Sequence, residues 1–371
     1  MKYLYALLFI LAMTFVSQGQ IDNRLFFESY PELDTTKGQV VLAIDNMNFL
    51  QNNEYFSSFA KGYTAIGFHL IPKVTYTYNN YLHFQAGANL LKYSGRNSFE
   101  ESAPYLRIFY QPAPDFRIVL GNIYGTVHHG VPEPLMNPEL LLTTNDESGL
   151  QFLYDTENFH GDLWVHWSKF ILEGDPFQEQ FTVGFSGSYT WWRKGSSRLN
   201  TPVAFMARHA GGQINHSSKS LSTIVNSSLT LQYHTGTFFG DSISFSAGVY
   251  TYEDLSPTKK QTYNDGYAFL VQGTQHYKHF QINMGYWWAR EWFAPLGHPL
   301  YASVSDDKPY TEERYRQMLT IKAAFQKSLT PDLRIAVRAE SFYDLNNQTL
   351  DYLYGFYLQF NPRFFITRIR E

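Results

Sequence analysis

Regular alternation of apolar and polar residues is the feature that most constrains this fold. In the segment KHFQINMGYWWAR, Phe280, Ile282, Met284, Tyr286 and Trp288 fall on one face, while the residues between the first four are polar or small. Successive side chains of a strand point to opposite sheet faces, so the pattern predicts a strand with one apolar and one polar face. About sixteen such segments follow one another, and no helical period competes over a comparable length.

The connections between these segments also alternate, in length. Short turns near residues 79–80, 112–114, 157–158 and 330–332 take turns with longer links near 47–60, 125–148, 170–178, 252–265 and 291–312. The sequence therefore predicts an all-β fold, a transmembrane antiparallel up-and-down β-barrel of about 16 strands, with 14–18 possible. A secreted β-sandwich would also alternate, but so many strands would demand two domains, and no linker is visible.

The first residues predict export. Lys2 precedes an apolar run from Leu4 to Val16, and Ser17-Gln18-Gly19 supplies small residues before a cleavage point at Gln20. We expect residues 1–19 to be a cleaved signal peptide, since the run is shorter than the roughly 20 residues of a membrane-spanning helix. Residues 20–36 are expected to form a periplasmic arm or a small plug, and residues 37–371 the barrel.

Composition excludes several classes of function. The chain has no cysteine, which rules out disulfides, thiol chemistry and cysteine-based zinc sites. Removing Lys2 with the signal takes the formal charge from -4 to -5, which does not suggest a nucleic-acid partner. Neighbouring His128 and His129 point apart in an extended segment, so we expect no metal site and no cofactor.

On this alternation and loop pattern, over residues 37–361, the chain resembles the outer-membrane β-barrel proteins of Gram-negative bacteria, most nearly the sixteen-stranded porins. The resemblance implies an outer-membrane location in contact with lipid, short turns in the periplasm, and a non-enzymatic channel for small hydrophilic solutes. It departs from the pattern at the end, because such chains often finish on an aromatic residue and this one finishes on Glu371.

The resemblance also implies that the loop after the fifth strand, residues 125–148, folds into the barrel as a constriction. A loop packed over the mouth or against a neighbouring subunit is the alternative. The candidate constriction residues are His128, His129, Glu133, Glu139, Asp146 and Glu147.

Strand parity places more basic than acidic side chains on the inner wall. The predicted basic wall consists of Arg107, Arg117, Arg316, Lys322, Arg334 and Arg338, with the acid Glu340 among them. A turn centred near Thr330 would set Lys322 opposite Arg338. Since basic rings draw anions into pores, this wall predicts modest anion preference.

A cluster of large aromatic residues follows the β-strand pattern near residue 288. Trp287, Trp288, Trp292 and Phe293 are expected to form an aromatic rim where a strand leaves the membrane, with a sugar-stacking platform as the alternative.

Two other functions stay open beside the channel. One is a barrel subunit of a larger outer-membrane complex for secretion, assembly or uptake, with further copies of the chain or other envelope proteins as its possible partners. The other is a lipid-modifying enzyme, for which His209 and Ser227 on neighbouring strands are the nearest outward pair.

Overall fold

The computed structural model describes residues 21, 23, 37–144, 146–237, 240–308 and 311–369. The expected signal peptide lies outside the described residues, as does the expected arm at 20–36 apart from Ile21 and Asn23, which are both buried. Among the described residues, no helix is long and apolar enough to cross a bilayer.

Antiparallel strands make up nearly all of the regular structure. In chain order they are β1 (Gln39–Glu54), β2 (Tyr63–Asn79), β3 (Leu82–Tyr93), β4 (Glu101–Ala113), β5 (Phe116–Asn122), β6 (Ser148–Asp155), β7 (Phe159–Lys169), β8 (Glu179–Lys194), β9 (Ser197–Gly211), β10 (Ser222–Thr237), β11 (Gly240–Asp254), β12 (Asp265–Tyr277), β13 (Phe280–Arg290), β14 (Tyr315–Ser328), β15 (Leu333–Asp344), β16 (Thr349–Phe360) and β17 (Arg363–Arg368).

Sixteen strand positions close the barrel, because β17 continues β16 after an interruption at Asn361-Pro362. Both segments pair with β1, which pairs with β2 along its other edge. Every other strand pairs with its two neighbours in sequence. The predicted all-β barrel of about sixteen strands is confirmed, and closure satisfies the backbone hydrogen bonds that lipid cannot.

The alternation in β13 has the expected meaning. Phe280, Ile282 and Met284 are about half exposed on the outside, whereas Gln281 and Asn283 are buried inside. The short turns gather at one end of the barrel and the long loops at the other, as the loop lengths predicted.

Two long loops fold into the barrel from the long-loop end. The β5–β6 loop carries a short 3-10 helix, η1 (Thr126–His129), and one α-helical turn, α1 (Leu140–Thr143). The β13–β14 loop carries a second 3-10 turn, η2 (Pro299–Tyr301). We call these two segments the inserted loops.

The inserted loops bond to each other as well as to the wall. The Asn137 N–H donates to the Leu296 carbonyl over 2.7 Å, and the His298 N–H donates to the Glu133 carbonyl over 3.0 Å. At Gly297 the two backbones approach so closely that a Cβ would lie 2.1 Å from the Pro134 oxygen. The barrel interior is therefore packed at this level.

Candidate functional site

A buried charge network fixes the β5–β6 loop to the wall. His129 Nδ1 lies 2.7 Å from Asp162 Oδ2, and Nε2 lies 3.2 Å from Glu147 Oε2. The Gln151 amide N–H donates to both Asp162 oxygens, and the Thr126 N–H donates to Glu147 Oε1. Since both ring nitrogens donate to carboxylates, the imidazole carries both protons and a positive charge.

The pKa values of the loop residues agree with this arrangement. Burial alone would lower the pKa of His129, but the carboxylates of Asp162 and Glu147 outweigh it and raise that pKa to about 9. Burial alone would raise the pKa of Glu147, yet the His129 charge lowers it to about 2. A fully buried imidazolium has no proton acceptor site to offer a substrate, so this network holds the loop in place.

An aromatic ring also packs on the His129 side chain. The Trp164 ring stacks on the imidazole with centroids 3.6 Å apart and planes within 9°. Gly184 on β8 leaves the space for that ring, since a Cβ there would lie 2.1 Å from Trp164 Cζ2. The inserted loop and three strands are thus fitted to each other.

A second network joins the loop to β14 and β15. Lys322 Nζ lies 2.9 Å from Glu340 and also contacts Glu133 of the inserted loop, while Arg338 lies 2.7 Å from Glu340. The expected opposition of Lys322 and Arg338 does not occur. The register sets Lys322 opposite Glu340 and Ala324 opposite Arg338, because the turn is centred on Pro331 and not on Thr330, which shifts each partner by two residues.

The other predicted wall residues face inward but have protein partners. Arg316 lies 2.5 Å from Asp344, Arg107 lies over the Tyr124 ring at 3.8 Å, Arg117 pairs with Asp155, and Arg334 lines the short-turn end. Arg107, Arg316, Lys322 and Arg338 are each at most 4% exposed. Because these charges face protein groups, the basis for the expected anion preference is removed.

Of the remaining loop candidates, His128 and Asp146 line one cavity, and Glu139 does not. Glu139 accepts hydrogen bonds from Asn53 and Tyr63, and the His128 ring lies 5.4 Å from Tyr124. Asp146 lies 3.8 Å from His69 beside a cavity of about 80 Å³. That volume holds a few waters rather than an organic substrate.

The residues of the expected aromatic rim lie on two different sides of the barrel wall. Trp288 faces outward among Tyr267 and Phe269, at ring distances of 5.7 and 5.8 Å. Trp287 and Trp292 are fully buried inside, and Phe293 packs on Tyr252. Neighbouring tryptophans at 287 and 288 must lie on opposite faces of a strand, so they cannot share a girdle.

The outward pair considered for enzymatic chemistry is not assembled. His209 lies opposite Thr223 and its Nδ1 is 2.9 Å from that hydroxyl, whereas Ser227 lies opposite Phe205 and contacts Thr251. Four residues along β10 separate the two candidates. The structure therefore gives Ser227 no histidine.

A polar cluster on the outside of β1, β2 and β16 was missed by the sequence reasoning. The Thr64 hydroxyl donates to Asn52 Oδ1, and Asn52 Nδ2 donates to Glu54 Oε1 over 2.7 Å and to the Tyr354 hydroxyl over 3.2 Å. We call these four residues the outer-wall cluster. Polar and ionisable side chains on a membrane-facing surface are costly and commonly functional. The signal was present, since the even positions of β1 after Ile44 are polar except at Leu50.

The outer-wall cluster lies near the outer edge of the apolar band. The ten residue steps from Val40 to Leu50, at about 3.3 Å each and a tilt of about 40°, cover a height of about 25 Å. That height equals the usual apolar band of such barrels. With Val40 at the inner edge of the band, Asn52, next outward after Leu50, lies at the boundary between acyl chains and headgroups. Acyl ester bonds of membrane lipids lie at this boundary.

Two further amides face lipid lower on the same strand. Asn48 Nδ2 donates to Asn46 Oδ1 over 2.6 Å, and Asn46 Nδ2 donates to the His69 carbonyl over 3.2 Å. Neither residue belongs to the outer-wall cluster.

Replacing Asn48 by leucine is expected to raise stability by about 1 kcal/mol, because a polar amide then leaves hydrocarbon. Denaturant unfolding of the protein in lipid vesicles would measure the change. The matched Asn53→Leu variant should be destabilised, since Asn53 lies inside and binds Glu139. A lower midpoint for Asn48→Leu would contradict the lipid exposure of this face.

The closed barrel, apolar outside and packed inside, defines a transmembrane β-barrel of the outer-membrane type. OprD from Pseudomonas aeruginosa is similar with a TM-score of 0.54 and 9% identity, covering 90% of this chain and 97% of that one. A loop-deletion mutant of OmpT from Vibrio cholerae is similar with a TM-score of 0.51 and 11% identity, covering 88% and 100%. No curated protein matched the chain.

The sequence identifies the family more narrowly than these structures do. The model of the lipid A 3'-O-deacylase-type family matches residues 32–369, and the chain belongs to that family. This finding overturns the expectation of a passive, non-enzymatic channel. The expectation was wrong because strand pattern and barrel size are common to channels and to barrel enzymes, and neither reports on the chemistry of the wall.

Proposed function

We propose that this protein is an outer-membrane hydrolase that removes an ester-linked acyl chain from a lipid A-like glycolipid of the outer leaflet. The observation that carries the proposal is the outer-wall cluster, a carboxylate, an amide and two hydroxyls facing lipid at the depth of ester bonds. Family membership supports the same reaction class. The packed interior supports it too, because the wall rather than the lumen is open to a lipid.

The cluster has the groups that ester hydrolysis needs. Asn52 fixes one oxygen of Glu54, and the carboxylate can then take a proton from water as that water attacks the ester carbonyl carbon. Tyr354 accepts its hydrogen bond from Asn52, which leaves its own O–H to donate to the developing oxyanion. Thr64 holds the Asn52 amide in the required orientation.

The protons in this reaction balance. Collapse of the tetrahedral intermediate breaks the bond between the acyl carbon and the sugar oxygen. Glu54 returns the proton to that oxygen, so the products are a free fatty acid and the sugar hydroxyl.

Mass spectrometry of fatty acid released from purified lipid A by the protein in detergent micelles tests the proposal. We expect release by the wild type, a loss of at least about 100-fold in Glu54→Gln, and a smaller loss in Thr64→Ala. The matched control is Thr251→Ala, which removes a lipid-facing hydroxyl bonded to Ser227 on another part of the wall. No release by the wild type, or wild-type activity in Glu54→Gln, would contradict the proposal.

A further inference from the structure

A basic cavity of about 380 Å³ lies at the short-turn end of the barrel. Its walls come from the end of β12, the β12–β13 turn, the start of β13, the end of β14 and the start of β15. Among the described residues that line it, five are basic and none is acidic: His276, Lys278, His279, Lys327 and Arg334.

We infer that this cavity binds a phosphate-bearing ligand, at a site separate from the outer-wall cluster. Basic side chains converge on it from three strand ends and one turn, and a phosphate offers oxygens in several directions to such a set. A concave surface with one sign of charge also concentrates counter-ions of the opposite sign. A single carboxylate would satisfy fewer of these donors.

The backbone around the cavity is fixed. Lys278 adopts a left-handed conformation with φ 53°, and its N–H donates to Asp241 Oδ2 of the neighbouring turn over 2.5 Å. The Gln326 N–H donates to the His279 carbonyl over 2.9 Å, which ties the turn to β14. Gln281 and Ala324, both nearly fully buried, form the floor. Asp241 reaches the turn backbone and does not line the cavity.

The position of the cavity limits the source of the phosphate. In the orientation implied by the loop lengths, the short-turn end faces the periplasm and the inner leaflet. Tyr277 and Phe280 are about half exposed on the outside of the same strand ends. Rings at this place are typical of the level of lipid headgroups. The phosphate can therefore belong to an inner-leaflet phospholipid headgroup or be free in the periplasm.

Isothermal titration calorimetry of the full chain in a nonionic detergent tests the inference with three probes. Pyrophosphate represents free phosphate, dihexanoyl phosphatidylglycerol represents a headgroup, and dihexanoylglycerol is the neutral analogue. We expect saturable binding of at least one phosphate probe and none of the neutral analogue. Tighter binding of the lipid than of pyrophosphate assigns the headgroup, and the reverse assigns free phosphate.

Variants that remove charge distinguish binding in this cavity from nonspecific attraction to basic residues elsewhere on the protein. We expect Lys278→Gln/Lys327→Gln to weaken phosphate binding at least tenfold, and Arg193→Gln/Lys194→Gln, which removes two basic residues from another short turn, to change it less than twofold. Circular dichroism and heat-modified gel mobility would show that both variants fold. Equal affinities in both double variants, equal binding of dihexanoylglycerol, or no binding of either phosphate probe would overturn the inference. None of these outcomes bears on the proposed hydrolysis, because the cavity and the outer-wall cluster share no residue.

Discussion

Replacing Lys322 by methionine is expected to destabilise the protein by about 3–5 kcal/mol. The change leaves the buried Glu340 and the largely buried Glu133 without the cation between them, while Arg338 stays paired with Glu340. Denaturant unfolding in vesicles measures the loss, and protease cleavage within residues 123–147 reports release of the inserted loop. Glu133 connects the charge to the loop, so both measurements should respond together.

The matched control is Lys327→Met on the same strand. Lys327 is exposed near the end of β14, so its loss should change stability by less than about 0.5 kcal/mol. Lys322→Arg keeps a cation and should lie between the two. An unfolding midpoint for Lys322→Met equal to that of Lys327→Met would show that the buried network does not hold the loop.

The second large effect is a dependence of stability on pH that originates at His129. Its pKa rises from 6.5 to about 9 on folding, so the folded protein keeps a proton that the unfolded chain releases. The resulting stabilisation is complete below pH 6.5 and is lost as pH rises through 9. A shift of this size corresponds to about 3 kcal/mol.

Glu147 sets the acid limit of the same interaction. Its pKa falls from 4.5 to about 2 on folding, so its contribution is complete above pH 4.5 and is lost as pH falls towards 2. The two contributions describe one contact and do not add. Stability should therefore be greatest between about pH 4.5 and 6.5 as far as this network is concerned.

Unfolding free energies measured from pH 6 to 10 in wild type and His129→Gln test this origin. The wild type should lose stability across that range, and the variant should be less stable at pH 6 and nearly flat above it. His128→Gln, one residue earlier, is the control and should keep the wild-type slope. A slope unchanged in His129→Gln would assign the pH dependence to other groups.

Features that depend on one strand could be predicted from the sequence, and features that depend on how strands pair could not. Alternation in β13 predicted which residues face lipid, since parity is a property of one strand. The pairing of Lys322 was predicted wrongly, because register depends on turn geometry and a shift of two residues keeps every side chain on its face while changing its partner. Trp287 was assigned to the rim together with its neighbour Trp288. This was wrong, because adjacent residues of a strand face opposite sides of the sheet.

The candidate site shows the same division. Polar residues at Asn52 and Glu54 could be read from the sequence as exceptions on an outward face. Their connection to Thr64 and Tyr354 could not, since those residues come from two other strands, and Tyr354 is 302 residues away from Asn52. The function could not be inferred from the strand pattern or from the barrel size. The family match corrected the prediction of a channel.

By itself the sequence determined a closed antiparallel barrel, its strand count, its lipid-facing residues and the end at which the long loops lie. These follow from the two-residue period of a strand and from the requirement that no backbone group stay unpaired in lipid. Only the tertiary structure decided that the inserted loops fill the interior, that the wall charges are neutralised there, and that four polar groups meet on the outside. Those contacts join residues distant along the chain, and their distances depend on register and loop path, which no local pattern encodes.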